Sequence, residues 1–164
     1  MLFEAKGSNV DENMFSKGEP KHVTHREFLR RIARELSIAR IYYPGSCHDR
    51  QLEKPFGKKV VTLDKDMETG MPNFVQGRME NSPFLSEVFG AVFLQDVGAN
   101  EGELTDVLRT LRPNGIVIHS YSDCCDEDLP LLEDHPQLMF LEFPYYHEDL
   151  SIFRKLEAPT QNQK

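Results

Sequence analysis

Metal or thiol chemistry in this chain would fall to its three cysteines and six histidines. Cys47, His48 and Asp49 stand together, and His119, Asp123, Cys124 and Cys125 form a second group. A zinc ion takes four nitrogen or sulfur donors at tetrahedral geometry. The chain has no CxxC or HxxxH spacing, and the neighbours Cys124 and Cys125 cannot easily both reach one ion, so no metal centre is expected from this pattern. Cys47 and His48 would make a nucleophile and base only if their side chains converged, and adjacent residues on a turn point apart. The cysteines read more simply as small apolar core residues. The more informative polar residues are those that follow an apolar run: residues 43–49, 64–66, 76–81, 95–99 and 120–125. Together they make an acidic, hydroxyl-rich set.

The runs before them are the elements that must position them. THRE at 24–27 has the form of a capping box, with Glu27 placed to reach back to Thr24. Phe28, Leu29, Ile32, Ala33 and Leu36 then recur at helical spacing, and Arg26, Arg30, Arg31 and Arg34 form a solvated face. Ile41, Tyr42 and Tyr43 favour a strand that Pro44 and Gly45 end. Residues 48–57 suggest a short helix closed by Pro55 and Gly57, residues 58–66 a second strand and residues 73–79 a short third one. Ser82 followed by Pro83 marks a helical start over 82–89. Residues 90–99 hold a continuous apolar run, as a strand buried on both faces requires. Asn100 caps a helix with Glu103 three residues on and Leu104, Val107, Leu108 and Leu111 in one stripe. Strand 115–123, a short helix over 126–134, and strands 137–144 and 150–157 complete the chain. The link 143–149, aromatic and acidic, reads as a surface hairpin whose rings cover the sheet end.

Alternating strands and helices imply a parallel sheet with right-handed crossovers. The last two strands follow each other too closely for a parallel crossover, so they pair antiparallel. The expected fold class is therefore α/β: a three-layer sandwich, mostly parallel and Rossmann-like, with one antiparallel strand near the C-terminus. In such open sheets ligands bind beyond the carboxyl ends of the strands, where the strand order reverses. That edge gathers the polar set above.

This layout resembles that of the class I S-adenosylmethionine-dependent methyltransferases, over roughly residues 24–157. The clearest marker is ELTDVLRTLRPNGIVIHS at 103–120, similar to the family's passage from a helix through Leu-Arg-Pro-Gly-Gly into an apolar strand. Gly115 keeps the second glycine, and Asn114 replaces the first with a residue that tolerates left-handed backbone. The resemblance implies the strand order third, second, first, fourth, fifth, seventh, sixth. It also implies S-adenosylmethionine as cofactor, in a site formed by Tyr43, Gly45, Asp49, Asp64, Lys65, Met79, Glu80 and Gln95. The family's acidic residue and Gly-x-Gly-x-Gly match residues 43–49 with one glycine, Gly45, of three. Tyr43 stands at the acidic position, and Cys47 and Asp49 replace the other two glycines. Asp64, closing the second strand, would accept both ribose hydroxyls. Arg78 stands where the family has an Asp for the adenine amine, and Glu80 lies two residues on. Methyl transfer needs mainly in-line alignment, so Asp96 and His119 are named only as candidate catalytic residues. The alternative is a binding or scaffold protein that keeps the fold without the cofactor. A nucleotide or sugar-nucleotide binder would use the same Asp64.

Composition bounds the partners. Lys plus Arg is 19 and Asp plus Glu is 27, a net charge of −8, which disfavours phosphate backbones and anionic membranes. No apolar run is long enough to span a bilayer, and the start lacks the charge and hydropathy order of a signal peptide. With so few cysteines a cytoplasmic protein is expected. The expected partner is a small molecule in the cleft at the strand ends, not nucleic acid or membrane, with a protein partner left open. The length fits one domain, expected over 23–157 between a flexible lead at 1–22 and a polar tail at 158–164.

Overall fold

The two faces of the sheet are set by residue alternation. In β2 (Ile41–Pro44), Ile41 and Tyr43 join one apolar cluster and Tyr42 the other. In β5 (Phe89–Gln95), Ala91 and Phe93 face one way, Val92 and Leu94 the other. β6 (Leu111–Ser120) repeats this with Ile116 and Ile118 against Val117. Strands buried on both faces must read as near-continuous apolar runs, and these do. The computed structural model describes residues 20–46, 49–66, 73–95, 99–121 and 128–157.

The remaining strands of the main sheet are β3 (Val60–Asp64), β4 (Phe74–Gln76), β7 (Leu138–Phe140) and β9 (Leu150–Lys155). The seven-stranded order is β4-β3-β2-β5-β6-β9-β7, which is the expected one. β9 runs antiparallel to both β6 and β7, and every other pairing is parallel. The first face is covered by α1 (His25–Glu35) and α2 (Glu53–Phe56) through Phe28, Leu29, Ile32, Leu52 and Phe56. The second is covered by α3 (Glu101–Thr110) through Leu104, Val107 and Leu108, with Leu132 from α4 (Asp128–Glu133). This is the three-layer α/β sandwich. No helix among the described residues is long and apolar enough to cross a membrane.

Both helix caps form, to different extents. Thr24 accepts the Glu27 N–H at 3.3 Å, but the Glu27 carboxylate turns to Arg31 at 2.6 Å, so the α1 box is half made. Asn100 and Glu103 make the full reciprocal box on α3, at 2.9 and 3.0 Å. Asn114 takes φ 60°, the left-handed backbone its side chain tolerates. Gly115 answers to space instead: a Cβ there would lie 2.7 Å from Leu111 Cδ1 and 2.8 Å from the Arg112 carbonyl.

Four expectations are corrected. Residues 82–89 form no helix; a 3-10 turn over Met79–Asn81 precedes them. Ser82 spends its N–H and hydroxyl on Asp106 rather than on a cap, and Phe84 packs edge-on against Tyr42 and Phe89. Pro55 lies inside α2 rather than ending it, because a first-turn residue needs no N–H. Residues 111–114 belong to β6 as an irregular stretch between the pairs Phe89–Leu111 and Ala91–Ile116, not to the preceding helix. The link 143–149 is not a free hairpin. Its β8 (Tyr145–Tyr146) pairs in parallel with β1 (Lys21–His22), and Tyr145 is buried against Phe28.

Candidate functional site

β2 and β5 are neighbours from which the chain departs in opposite directions across the sheet, so their C-terminal ends flank the crevice of an open α/β fold. Tyr43, 2% exposed, is the penultimate residue of β2, with its ring edge-on to Phe93. Its hydroxyl donates to Asp49 Oδ2 at 2.8 Å and lies 3.3 Å from Gln95 Oε1. A phenol carries one proton, so the Gln95 amide completes this contact when its nitrogen is turned to the phenol oxygen. Asp49 also accepts the Gln51 backbone N–H at 2.8 Å and the Gln51 side-chain amide. Tyr43, Asp49 and Gln95 are thus brought together across β2 and β5, with Gln51 as a member the sequence reading did not name.

The chain turns at Gly45 with φ 61°, and the Gly45 N–H donates to the Leu63 carbonyl at 2.7 Å. This locks the turn to β3 one step before Asp64. Asp64 is 7% exposed; its Oδ1 accepts the Asp66 N–H at 3.1 Å and its carbonyl the Gly77 N–H at 2.8 Å. Ser46, 1% exposed, follows Gly45, and among the described residues its hydroxyl has no hydrogen-bond partner.

The other residues expected in the site are more dispersed. Lys65 is exposed, and its carbonyl accepts the Gln76 amide at 3.2 Å. Met79 is buried in the apolar cluster with Leu63, Val92 and Leu108, while Glu80 is exposed on the 3-10 turn. His119, 2% exposed on β6, sits opposite Ser151 with its ring edge-on to Tyr121. Asp96, Cys47, His48, Asp123, Cys124 and Cys125 lie outside the described residues. Arg78 precedes the 3-10 turn in extended conformation.

A second polar group stands at the start of α1, which runs back from this edge of the sheet. His25 packs against Phe93 and His147, and its Nε2, shielded from solvent, has no partner among the described residues. Burial first, and then the neighbouring His147, hold its imidazolium below the usual histidine range, while Asp149 and Asp49 act in the opposite sense. No spacing rule would have joined residues so far apart in the chain.

No protein-family model matches the sequence, and no curated protein sequence matches it. Solved structures do. The N-methyltransferase NodS from Bradyrhizobium japonicum WM9 matches with a TM-score of 0.60 at 13% identity, over 80% of this chain and 94% of NodS. The 1,6-didemethyltoxoflavin-N1-methyltransferase of Burkholderia thailandensis, solved with S-adenosylhomocysteine bound, gives 0.57 at 11% identity over 80% and 78%. The fold is that of the class I methyltransferases. The (4+2)-cyclase SpnF matches as well, at 0.59 and 10% identity over 81% of each chain. A class I methyltransferase fold therefore does not by itself name a reaction.

The left-handed Gly45 and then Ser46 follow the end of β2, and Asp64 closes the neighbouring β3. Across the crevice, the Tyr43 phenol and the Asp49 carboxylate are joined by their hydrogen bond.

Proposed function

We propose that the protein binds S-adenosylmethionine or S-adenosylhomocysteine at the C-terminal edge of β2, β3 and β5, as a methyltransferase-like protein with an unassigned acceptor. The observation that supports this reading is the left-handed Gly45 turn at the end of β2, locked to the Leu63 carbonyl one residue before Asp64 closes β3. Asp64 would accept the ribose hydroxyls, since two carboxylate oxygens match a cis-diol. Asp49, oriented by Tyr43 and Gln51, would meet the amino group, the task an acidic residue at position 43 would otherwise have. When bound, the cofactor supplies an activated methyl group; the chain's part is to align the acceptor and exclude water.

Calorimetric titration of the full chain with S-adenosylhomocysteine tests this. Wild type should bind, Asp64→Ala should bind more weakly by about 1.5–3 kcal/mol, the scale of hydrogen bonds to a charged group, and Cys47→Gly should bind at least as well as wild type. Absence of binding by both wild type and Cys47→Gly at millimolar ligand rejects the reading. A second reading is then favoured, a non-catalytic binding protein on the same fold. Its support is that the Tyr43 hydroxyl, Asp49, Gln51 and Gln95 already satisfy one another across the crevice.

A further inference from the structure

The parallel pairing of β1 with β8 has a chemical result beside its structural one. The Lys21 N–H donates to the Pro144 carbonyl and the Val23 N–H to the Tyr146 carbonyl, both at 3.0 Å, so His22 is held level with Tyr146 and next to His147. One donor atom each from His22, His147 and Glu148 lie within 4.8 Å of one another. His22 Nε2 is 2.6 Å from Glu148 Oε2, and the His22 and His147 rings stack at 5.7 Å. Behind them the His25 ring lies 5.4 Å from His147, with its solvent-shielded Nε2 lacking a partner among the described residues.

We propose that His22, His147 and Glu148 bind one divalent transition-metal ion of the zinc class. Two imidazole nitrogens and one carboxylate oxygen are a zinc-type donor set, whereas magnesium and calcium favour oxygen alone. Three protein donors leave a fourth position for water, which the exposure of His22 and Glu148 permits. The His147 ring is held in place by the Asp149 backbone N–H, which donates to its Nδ1 at 3.2 Å. An exposed His–Glu pair alone is a weak interaction. It gives no reason for a second imidazole stacked on the first and a third packed behind, whereas a shared cation does. The donors come from both ends of the chain, which is why spacing along the sequence does not reveal them. The ion would join the start of the fold to the link before β9, close to the mouth of the crevice but independent of any adenosyl ligand.

The experiment uses the full chain, washed with chelator and titrated with Zn2+ by calorimetry. One equivalent should bind, and His22→Ala and Glu148→Gln should each weaken binding at least tenfold. Both side chains are exposed, so both variants should keep the wild-type circular dichroism. Zinc should raise the melting temperature of wild type and leave that of His22→Ala unmoved, because only binding to the folded state stabilises it. A Co2+ complex should show tetrahedral visible bands without thiolate charge transfer. The proposal is overturned if wild type binds no zinc, if His22→Ala binds as tightly as wild type, or if thiolate bands assign the ion to the cysteines.

Discussion

Tyr43 ties the end of β2 to a carboxylate by donating to Asp49. Tyr43→Phe removes that donor and leaves Asp49 with its two bonds from Gln51. The expected cost is about 1–2 kcal/mol in urea unfolding, the usual range for one bond to a partly buried charged acceptor. A change within error would mean that water replaces the phenol without loss. Gly115 offers a sharper case. Gly115→Ala places a Cβ under 3 Å from Leu111 and the Arg112 carbonyl, where backbone cannot yield cheaply. Destabilisation of about 1–3 kcal/mol is expected from such overpacking, measured the same way. At this scale the sequence was partly readable. Tyr43, Asp49, Asp64 and Gln95 all follow apolar runs, and three of them meet at the crevice. Gln51 and His25 carry no such mark, because a bridging amide or a solvent-shielded imidazole is visible only once neighbours are placed.

At the scale of elements, α3 is held by three devices. Its apolar stripe packs under the sheet, its N-terminus has a complete capping box, and Lys155 of β9 donates to the Leu108 and Leu111 carbonyls at 2.6 and 2.7 Å. Asp106 adds a clasp to the preceding segment, accepting from Ser82 and, at 2.8 Å, from Arg109 Nε. Asp106→Ala would leave the Ser82 N–H and hydroxyl without their acceptor in a buried place. A loss of about 2–3 kcal/mol is expected in denaturant unfolding. Ser82→Ala should cost less, because it deletes a donor while Arg109 still satisfies the carboxylate. Equal losses would show that Ser82 alone carries the clasp. The same clasp accounts for the misread helix at 82–89. Ser-Pro is a start signal for a helix and equally for an extended turn, and the choice is made by Asp106, a residue more than twenty positions away. The two-residue strands β1 and β8 were unreadable for a related reason: two residues show no period, and their pairing spans most of the chain.

Across the whole molecule, the order of the seven strands is the one the family resemblance implies, and the sense of each pairing follows from two simple features. Alternation demands parallel crossovers, and the short passage between the last two strands forbids one. The sheet so built carries two apolar clusters that share no side chain, one under α1 and α2 and one under α3. Each strand residue belongs to one cluster only, but its backbone hydrogen bonds serve both. The two cores should therefore melt together while responding to substitution separately. Ile32, fully buried in the first cluster, and Leu108, buried in the second, test this. Ile32→Ala and Leu108→Ala should each cost roughly 2–5 kcal/mol. The sheet lies between the two sites, so the double variant should lose the sum of the single losses to within about 0.5 kcal/mol. The chain has no tryptophan, and Tyr42 and Tyr43 report from opposite faces. Tyrosine fluorescence and far-ultraviolet dichroism should then trace a single coincident urea transition in every variant stable enough to fold. Separate transitions would show that one face can lose its packing while the other persists. A double-variant loss well short of the sum would show that the sheet passes strain from one core to the other.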